Sequence, residues 1–193
     1  MVKKIIFLSV LAVLLCFTPT MAKEGVYLGA GLVYNNPQSS DTIDYLDPGI
    51  GLDLKFGYNF GRVGLELNLM GSTHDDTDPG YGDADFSGVS LDLRVFLSEL
   101  NDPNQIYLLI GFGGYSIKEY DPVIATDTTL KGSGLNLGAG LEHYLNENVA
   151  LNFGVVYRII KYDEVEIGGT TFSFDPELKG NMLTLAAGIN FHF

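Results

Sequence analysis

Cysteine and tryptophan are nearly missing: the 193 residues hold one Cys, Cys16, and no Trp. Cys16 sits in an apolar run close to the start, so residues 23–193 carry no thiol. That excludes disulfides, thiol catalysis and cysteine-based metal sites from most of the chain. Cations are scarce, with 11 Lys and Arg against 24 Asp and Glu, a formal charge of −13. A chain so acidic repels phosphates and makes a poor nucleic-acid binder. Beyond Phe17 there is no apolar run long enough for a membrane-spanning helix, and no low-complexity tail, linker or second domain interrupts the pattern.

What is present begins with an export signal. Lys3 and Lys4 precede the apolar run Ile5–Phe17, Pro19 breaks it, and Thr20-Met21-Ala22 offers small residues where a signal peptidase reads. The run is shorter than a bilayer span. Leu15 is bulky where a lipoprotein signal needs a small residue before its cysteine. The expectation is a cleaved signal peptide over 1–22 and one domain over 23–193. Loss of Lys3 and Lys4 takes the formal charge from −13 to −15.

The end of the chain sets the fold class. In Met182–Phe193, Leu183, Leu185, Ala187, Ile189, Phe191 and Phe193 alternate with Thr184, Ala186, Gly188, Asn190 and His192. A period of two with one apolar face is a strand. Seven further segments share the alternation: Gly25–Tyr34, Gly49–Phe60, Arg62–Ser72, Ser87–Leu97, Ile106–Ser116, Gly132–Leu145 and Val149–Ile160. Each has about the 9–11 residues, or slightly more, that a tilted transmembrane strand needs. The fifth is apolar on both faces for part of its length, so its register is the least defined by pattern.

Connections alternate in length. Phe60-Gly61-Arg62, Ser98–Gln105 and Asn146-Glu147-Asn148 are short, whereas Asn35–Pro48, Thr73–Phe86, Ile117–Lys131 and Lys161–Gly180 are long and polar. Short periplasmic turns and long extracellular loops are the habit of outer-membrane barrels. A secreted eight-stranded soluble barrel of lipocalin type also alternates. Its polar face would meet water, yet here that face is rich in glycine (Gly29, Gly31, Gly57, Gly111, Gly140, Gly154 among others) where soluble surfaces carry long charged side chains. Small residues suit the narrow interior of an eight-stranded barrel. The sequence therefore predicts an all-β, eight-stranded antiparallel up-and-down transmembrane barrel in a Gram-negative-type outer membrane. Tyr34 and Tyr157 are placed at its outer aromatic girdle, with Tyr58, Phe60, Phe191 and Phe193 at the inner one.

The glycine–aromatic alternation, the loop asymmetry, the terminal Phe and the stretch Gly138–Tyr144, Asn148–Leu151 and Val156–Arg158 together resemble the small outer-membrane barrel family typified by the OmpA transmembrane domain and OmpX. The resemblance covers essentially all of residues 23–193. It implies that Phe193, Phe191 and Ile189 form the signal read by the barrel-assembly machinery. It also implies periplasmic chaperones as partners during biogenesis, and outer-membrane lipids and lipopolysaccharide as surroundings.

Chemistry-bearing residues are few. His74-Asp75-Asp76-Thr77-Asp78 with Gly80, Asp83 and Asp85 spaces carboxylates as a calcium loop does. Gly80 and Ser87 nevertheless stand where an EF-hand would place its third carboxylate and closing Glu, so a solvated acidic loop is the favoured reading. His74, His143 and His192 lie at different depths and assemble no triad. No catalytic residue, metal ligand or cofactor site is assigned, and the expectation is a non-enzyme. Sixteen of the 24 acids lie in or beside the long loops, opposed there by Lys118, Lys131, Lys161 and Lys179. Divalent cations and cationic partners are the species such a crown attracts.

The inward face carries the stronger signal. Parity points Asp53, Lys55, Glu66, Asp92, Arg94, Glu142 and Arg158 into the lumen, where isolated charges are costly and should pair. With inward Tyr27, Met70, Phe96, Tyr107, Tyr115 and Tyr144 filling the rest, the expected function is a structural or interaction barrel with a plugged polar lumen. The alternative is a narrow channel for small molecules of the OmpW type. A lipid-modifying barrel enzyme ranks lower still.

Overall fold

The computed structural model describes residues 24–38, 43, 45–75, 83–99, 102–121 and 126–193. The expected signal peptide and two acids of the Thr73–Phe86 loop, Asp76 and Asp78, lie outside them. Eight antiparallel strands form one closed sheet in chain order: β1 (Gly25–Gln38), β2 (Gly49–Asn59), β3 (Val63–His74), β4 (Ala84–Phe96), β5 (Asn104–Asp121), β6 (Thr126–Asn146), β7 (Val149–Ile167) and β8 (Thr170–His192). β1 closes the barrel against β8 from Tyr27↔His192 to Gln38↔Asn181, leaving no edge at membrane depth. The terminal Phe193 amide donates to the Val26 carbonyl at 2.9 Å and completes the seam.

Alternation decides which way each side chain points. Outward residues such as Leu52, Leu54, Leu67, Leu91, Ile110 and Phe153 are exposed and form an apolar belt. Tyr34 and Tyr157 project outward toward the loop end, and Tyr58, Phe60, Phe191 and Phe193 toward the turn end, where the Tyr58 and Phe60 rings lie 4.5 Å apart. The ambiguous fifth strand resolves with Tyr107, Leu109, Tyr115 and Ile117 inward and Leu108, Ile110 and Phe112 outward.

Inside, rings stand over glycines. Tyr27, Tyr107 and Tyr115 lie directly across the ladder from Gly57, Gly140 and Gly88. Each phenol ring occupies the space a Cβ on its glycine would need.

Two loop readings are corrected. Ile117–Lys131 and Lys161–Gly180, expected as long polar loops, are mostly continued strand. β5 pairs with β6 up to Asp121↔Thr126, and β7 pairs with β8 up to Ile167↔Thr170. The cause is local. Gly168 and Gly169 both take positive φ, 55° and 83°, as a tight two-residue hairpin turn demands, and Val165, Ile167 and Phe172 supply alternating strand formers beside it. The first long connection, Asn35–Pro48 (loop one), departs from expectation as well. Ile43 and Leu46 fold into the barrel mouth and pack among Met70, Phe86, Ile117, Ile160, Tyr162 and Met182.

Candidate functional site

The seven charges predicted to face inward sit on five strands: Asp53 and Lys55 on β2, Glu66 on β3, Asp92 and Arg94 on β4, Glu142 on β6 and Arg158 on β7. Each is at most 9% exposed. Arg94 is the hub. One guanidinium nitrogen lies 3.2 Å from Glu66 Oε2 and donates to Tyr27 Oη at 2.8 Å; the other lies 2.9 Å from Glu142 Oε1. Its plane rests over the Tyr107 ring, 3.9 Å from the centroid, with Phe96 at 5.0 Å. A planar, weakly hydrated cation with several donors can hold two carboxylates and an aromatic face together, which lysine cannot. Tyr27 Oη donates to Glu66 Oε2 at 2.6 Å, Tyr144 Oη to Glu142 Oε2 at 3.3 Å, and the Asn190 amide to Glu142 Oε1. Arg94, on β4, thus joins β1, β3 and β6 through the lumen.

The other four charges divide differently. Lys55 reaches Asp53 Oδ2 at 3.1 Å and donates to Asn152 Oδ1 at 2.8 Å. Asp92 and Arg158, by contrast, find neutral partners. Asp92 accepts from Ser90 Oγ and the Asn136 amide, both at 2.8 Å, and Asn136 in turn accepts from Tyr115 Oη at 2.5 Å. Arg158 donates to Thr184 Oγ1, and among the described residues no carboxylate lies within 4.0 Å of it. Arg94 turns toward Tyr107 and Glu142 and away from Asp92, its neighbour two residues back on the same strand, so the amide of Asn136 takes its place. Hydrogen bonds to a carboxylate stabilise its charge as an ion pair does.

Sequence reasoning missed these amides and hydroxyls. A polar chain runs from Arg158 through Thr184 to Asn35, from Asn35 Nδ2 to Ser72 Oγ at 2.8 Å, and from Ser72 to His74 Nε2 at 2.9 Å. His74 Nδ1 lies 2.8 Å from the Asp47 carbonyl, which fixes the ring against the base of loop one. His74 is therefore a buried residue at the mouth, bonded to a hydroxyl and a backbone carbonyl with no acid in the pair. Inward parity marks Asn68, Asn136, Asn152 and Asn190, the available signal for these partners. At the turn end His192 lies between Tyr27 and Tyr144, with centroids 5.2 and 5.0 Å away, and His143 bonds Asn104 on the outside. The second short connection, Ser98–Gln105, is tied by the Gln105 amide, which donates to the Glu99 and Asp102 carbonyls at 2.6 Å each.

A closed antiparallel sheet with an apolar belt outside and a polar, ion-paired interior inverts the soluble pattern and defines an outer-membrane protein. The profile of the family described as "Outer membrane protein beta-barrel domain" matches residues 8–191, and the chain belongs to that family. Solved structures agree on the fold. Neisserial surface protein A (NspA) superposes with a TM-score of 0.68 at 15% identity, covering 88% of this chain and 97% of that one. The outer membrane protein OprG of Pseudomonas aeruginosa gives 0.65 at 18% identity, covering 90% and 98%. Ail, the attachment invasion locus protein of Yersinia pestis, gives 0.58 at 19% identity, covering 89% and 100%. A search of the curated proteins finds no match to this chain.

Proposed function

We propose that this protein is a structural and interaction barrel of the outer membrane whose lumen is closed to bulk flow, with its activity carried by the extracellular surface. The observation that supports this most directly is Arg94, wholly buried and joined to Glu66 on the adjacent strand and Glu142 two strands away, beneath a mouth filled by Ile43 and Leu46. An eight-stranded lumen is only wide enough for its own side chains, and this one is lined with large ones. Charges held this way stabilise a fixed arrangement when every member has a partner, as most here do. No chemical step is assigned to the site: Ser72 and His74 touch, but Ser72 is buried inside the wall. Surroundings of lipid and lipopolysaccharide, assembly through the Ile189, Phe191 and Phe193 strand, and attraction of divalent or cationic species to the acidic loops belong to the same reading. Planar-bilayer recording tests it. The wild-type barrel is expected to pass no steady current, and a large steady conductance would overturn the reading in favour of a channel.

A further inference from the structure

The rim of the barrel is uneven. On the low side the ladders stop at His74↔Ala84 and Asp85↔Lys118, while on the high side β6–β7 continues to Thr128↔Ile167 and β7–β8 to Ile167↔Thr170. A wall made of β5 to β8 therefore stands above the mouth. Cross-strand partners point to the same side of a sheet. Leu130 packs against the apolar cluster in the mouth, and Leu130↔Val165↔Phe172 are in register, so Phe172 faces the barrel axis. Leu178, opposite the fully buried Tyr162, faces the same way. The apolar filling thus continues up the inner face of the wall and emerges there, with Phe172 53% and Leu178 37% exposed.

Charge divides the two faces. On the outer face three lysines are matched within the wall, Lys118 with Asp127 at 2.7 Å, Lys131 with Glu166 at 2.5 Å and Lys161 with Glu177 at 2.6 Å, and Lys179 lies beside Lys161 on the same face. Across the mouth the low rim exposes Asp47, Asp75 and Asp83, and among the described residues no lysine or arginine pairs with them; Asp85 lies on the outer face, opposite Lys118. The opening therefore has an apolar wall on one side and an uncompensated acidic rim on the other.

We infer that this cleft docks a basic amphipathic polypeptide segment of an extracellular partner, its apolar side on Phe172 and Leu178 and its cations toward Asp47, Asp75 and Asp83. The inference rests on the interaction-barrel reading above and specifies the partner's chemistry. Membrane lipid does not fit, because the apolar strip faces the barrel axis. A second copy of this chain does not fit either, because it would bring a second acidic rim against the first.

The test uses the refolded barrel in nanodiscs of neutral lipid, with protein-free nanodiscs as the baseline. The probe is a fluorescent synthetic amphipathic helix of Lys and Leu; its controls are a Glu/Leu peptide of the same pattern and a scrambled Lys/Leu peptide. The expected result is salt-sensitive binding of the patterned Lys/Leu peptide alone. It should protect amides of Val165–Phe172 from hydrogen exchange. Phe172→Asp is expected to weaken it about tenfold or more, since a buried Phe contributes on that scale. Asp75→Asn with Asp83→Asn should weaken it and flatten its salt dependence, whereas Thr171→Ala on the outer face should change nothing. Equal binding of the Glu/Leu or scrambled peptide, or bound peptide with no added protection at Val165–Phe172, would overturn the inference. The exchange readout uses wild-type protein, so it decides even where a variant fails to fold. Bilayer recording on the same preparation separates the two readings. Steady current removes the closed barrel, and a silent barrel that ignores the peptide removes only the docking cleft.

Discussion

Replacing Arg94 by alanine is the sharpest perturbation of the lumen. The change deletes the ion pairs at 3.2 and 2.9 Å, the hydrogen bond to Tyr27 and the packing over Tyr107. It leaves Glu66 and Glu142, 4% and 0% exposed, in one site with no cation between them. Removing one member of a buried pair costs about 3–5 kcal/mol, most of it the penalty of stranding the other charge. Arg94→Ala should therefore lose about 4 kcal/mol of unfolding free energy. The chain has no tryptophan, so unfolding in urea from lipid vesicles is best followed by circular dichroism together with the heat-modifiable gel shift. The same variant should show brief, small openings in a planar bilayer. The triple change Arg94→Met, Glu66→Gln, Glu142→Gln removes all three charges and should recover most of the loss, because neutral replacement of a buried ionic triad is often tolerated. A loss below about 1 kcal/mol, the value of an exposed pair, would refute the reasoning, as would a triple variant no more stable than the single one.

Deleting Phe193 should lower assembly into the outer membrane while export continues; normal heat-modifiable folding of the deletion in cells would count against the seam as an assembly signal. His74 lies above Leu69, the last outward apolar residue of β3, at the extracellular end. Burial holds its imidazole below the ordinary value, partly offset by the Asp47 carbonyl and the Asp85 carboxylate. With the folded value depressed, the unfolded chain takes up the proton first. Stability should be complete above about pH 6.5 and fall as the pH drops below it, a slope that His74→Gln should reduce. Leu46→Asp puts a charge among Met70, Phe86 and Ile160 and should expel loop one from the mouth, read as faster proteolysis there with the barrel still folded. Gly169→Ala forces a side chain into a φ of 83° and should cost about 1–2 kcal/mol locally, seen as faster amide exchange at Ile167–Thr170 without loss of the barrel.

The barrel was legible because its evidence is periodic. A strand such as Ser87–Leu97 states its two faces residue by residue, and parity alone put Asp53, Lys55, Glu66, Asp92, Arg94, Glu142 and Arg158 on the interior side, where all are buried. Which charge meets which was not legible. Pairing across a lumen depends on strand stagger around the closed sheet, so Arg94 reaches Glu142 two strands away while Asp92 settles on Asn136. Loop one was hidden for another reason. Ile43 and Leu46 are two apolar residues in a polar stretch, and no period distinguishes an inserted tip from an exposed one. The β7–β8 extension could have been found: Gly168-Gly169 flanked by Val165, Ile167 and Phe172 is a hairpin signal, obscured by the acids interleaved with it.

The rings standing over glycines bear on how the sheet is proofread while it forms. Every strand here could slide past its neighbour by two residues and still keep its apolar face toward lipid, so hydrophobicity alone does not reject such a slip. Tyr27 opposite Gly57, Tyr115 opposite Gly88 and Tyr107 opposite Gly140 work against it. Moving β1 by two positions along β2 would set the Tyr27 phenol against Lys55 or Asn59, and the same slip in β5 along β6 would set Tyr107 against Gly138 or Glu142. Only Gly138 among those four alternatives offers the ring a glycine, so size complementarity rejects both slips of β1 along β2 and one of the two slips of β5 along β6 before the last seam shuts. Beside the lumen ion pairs, the missing side chains act as part of the code for alignment.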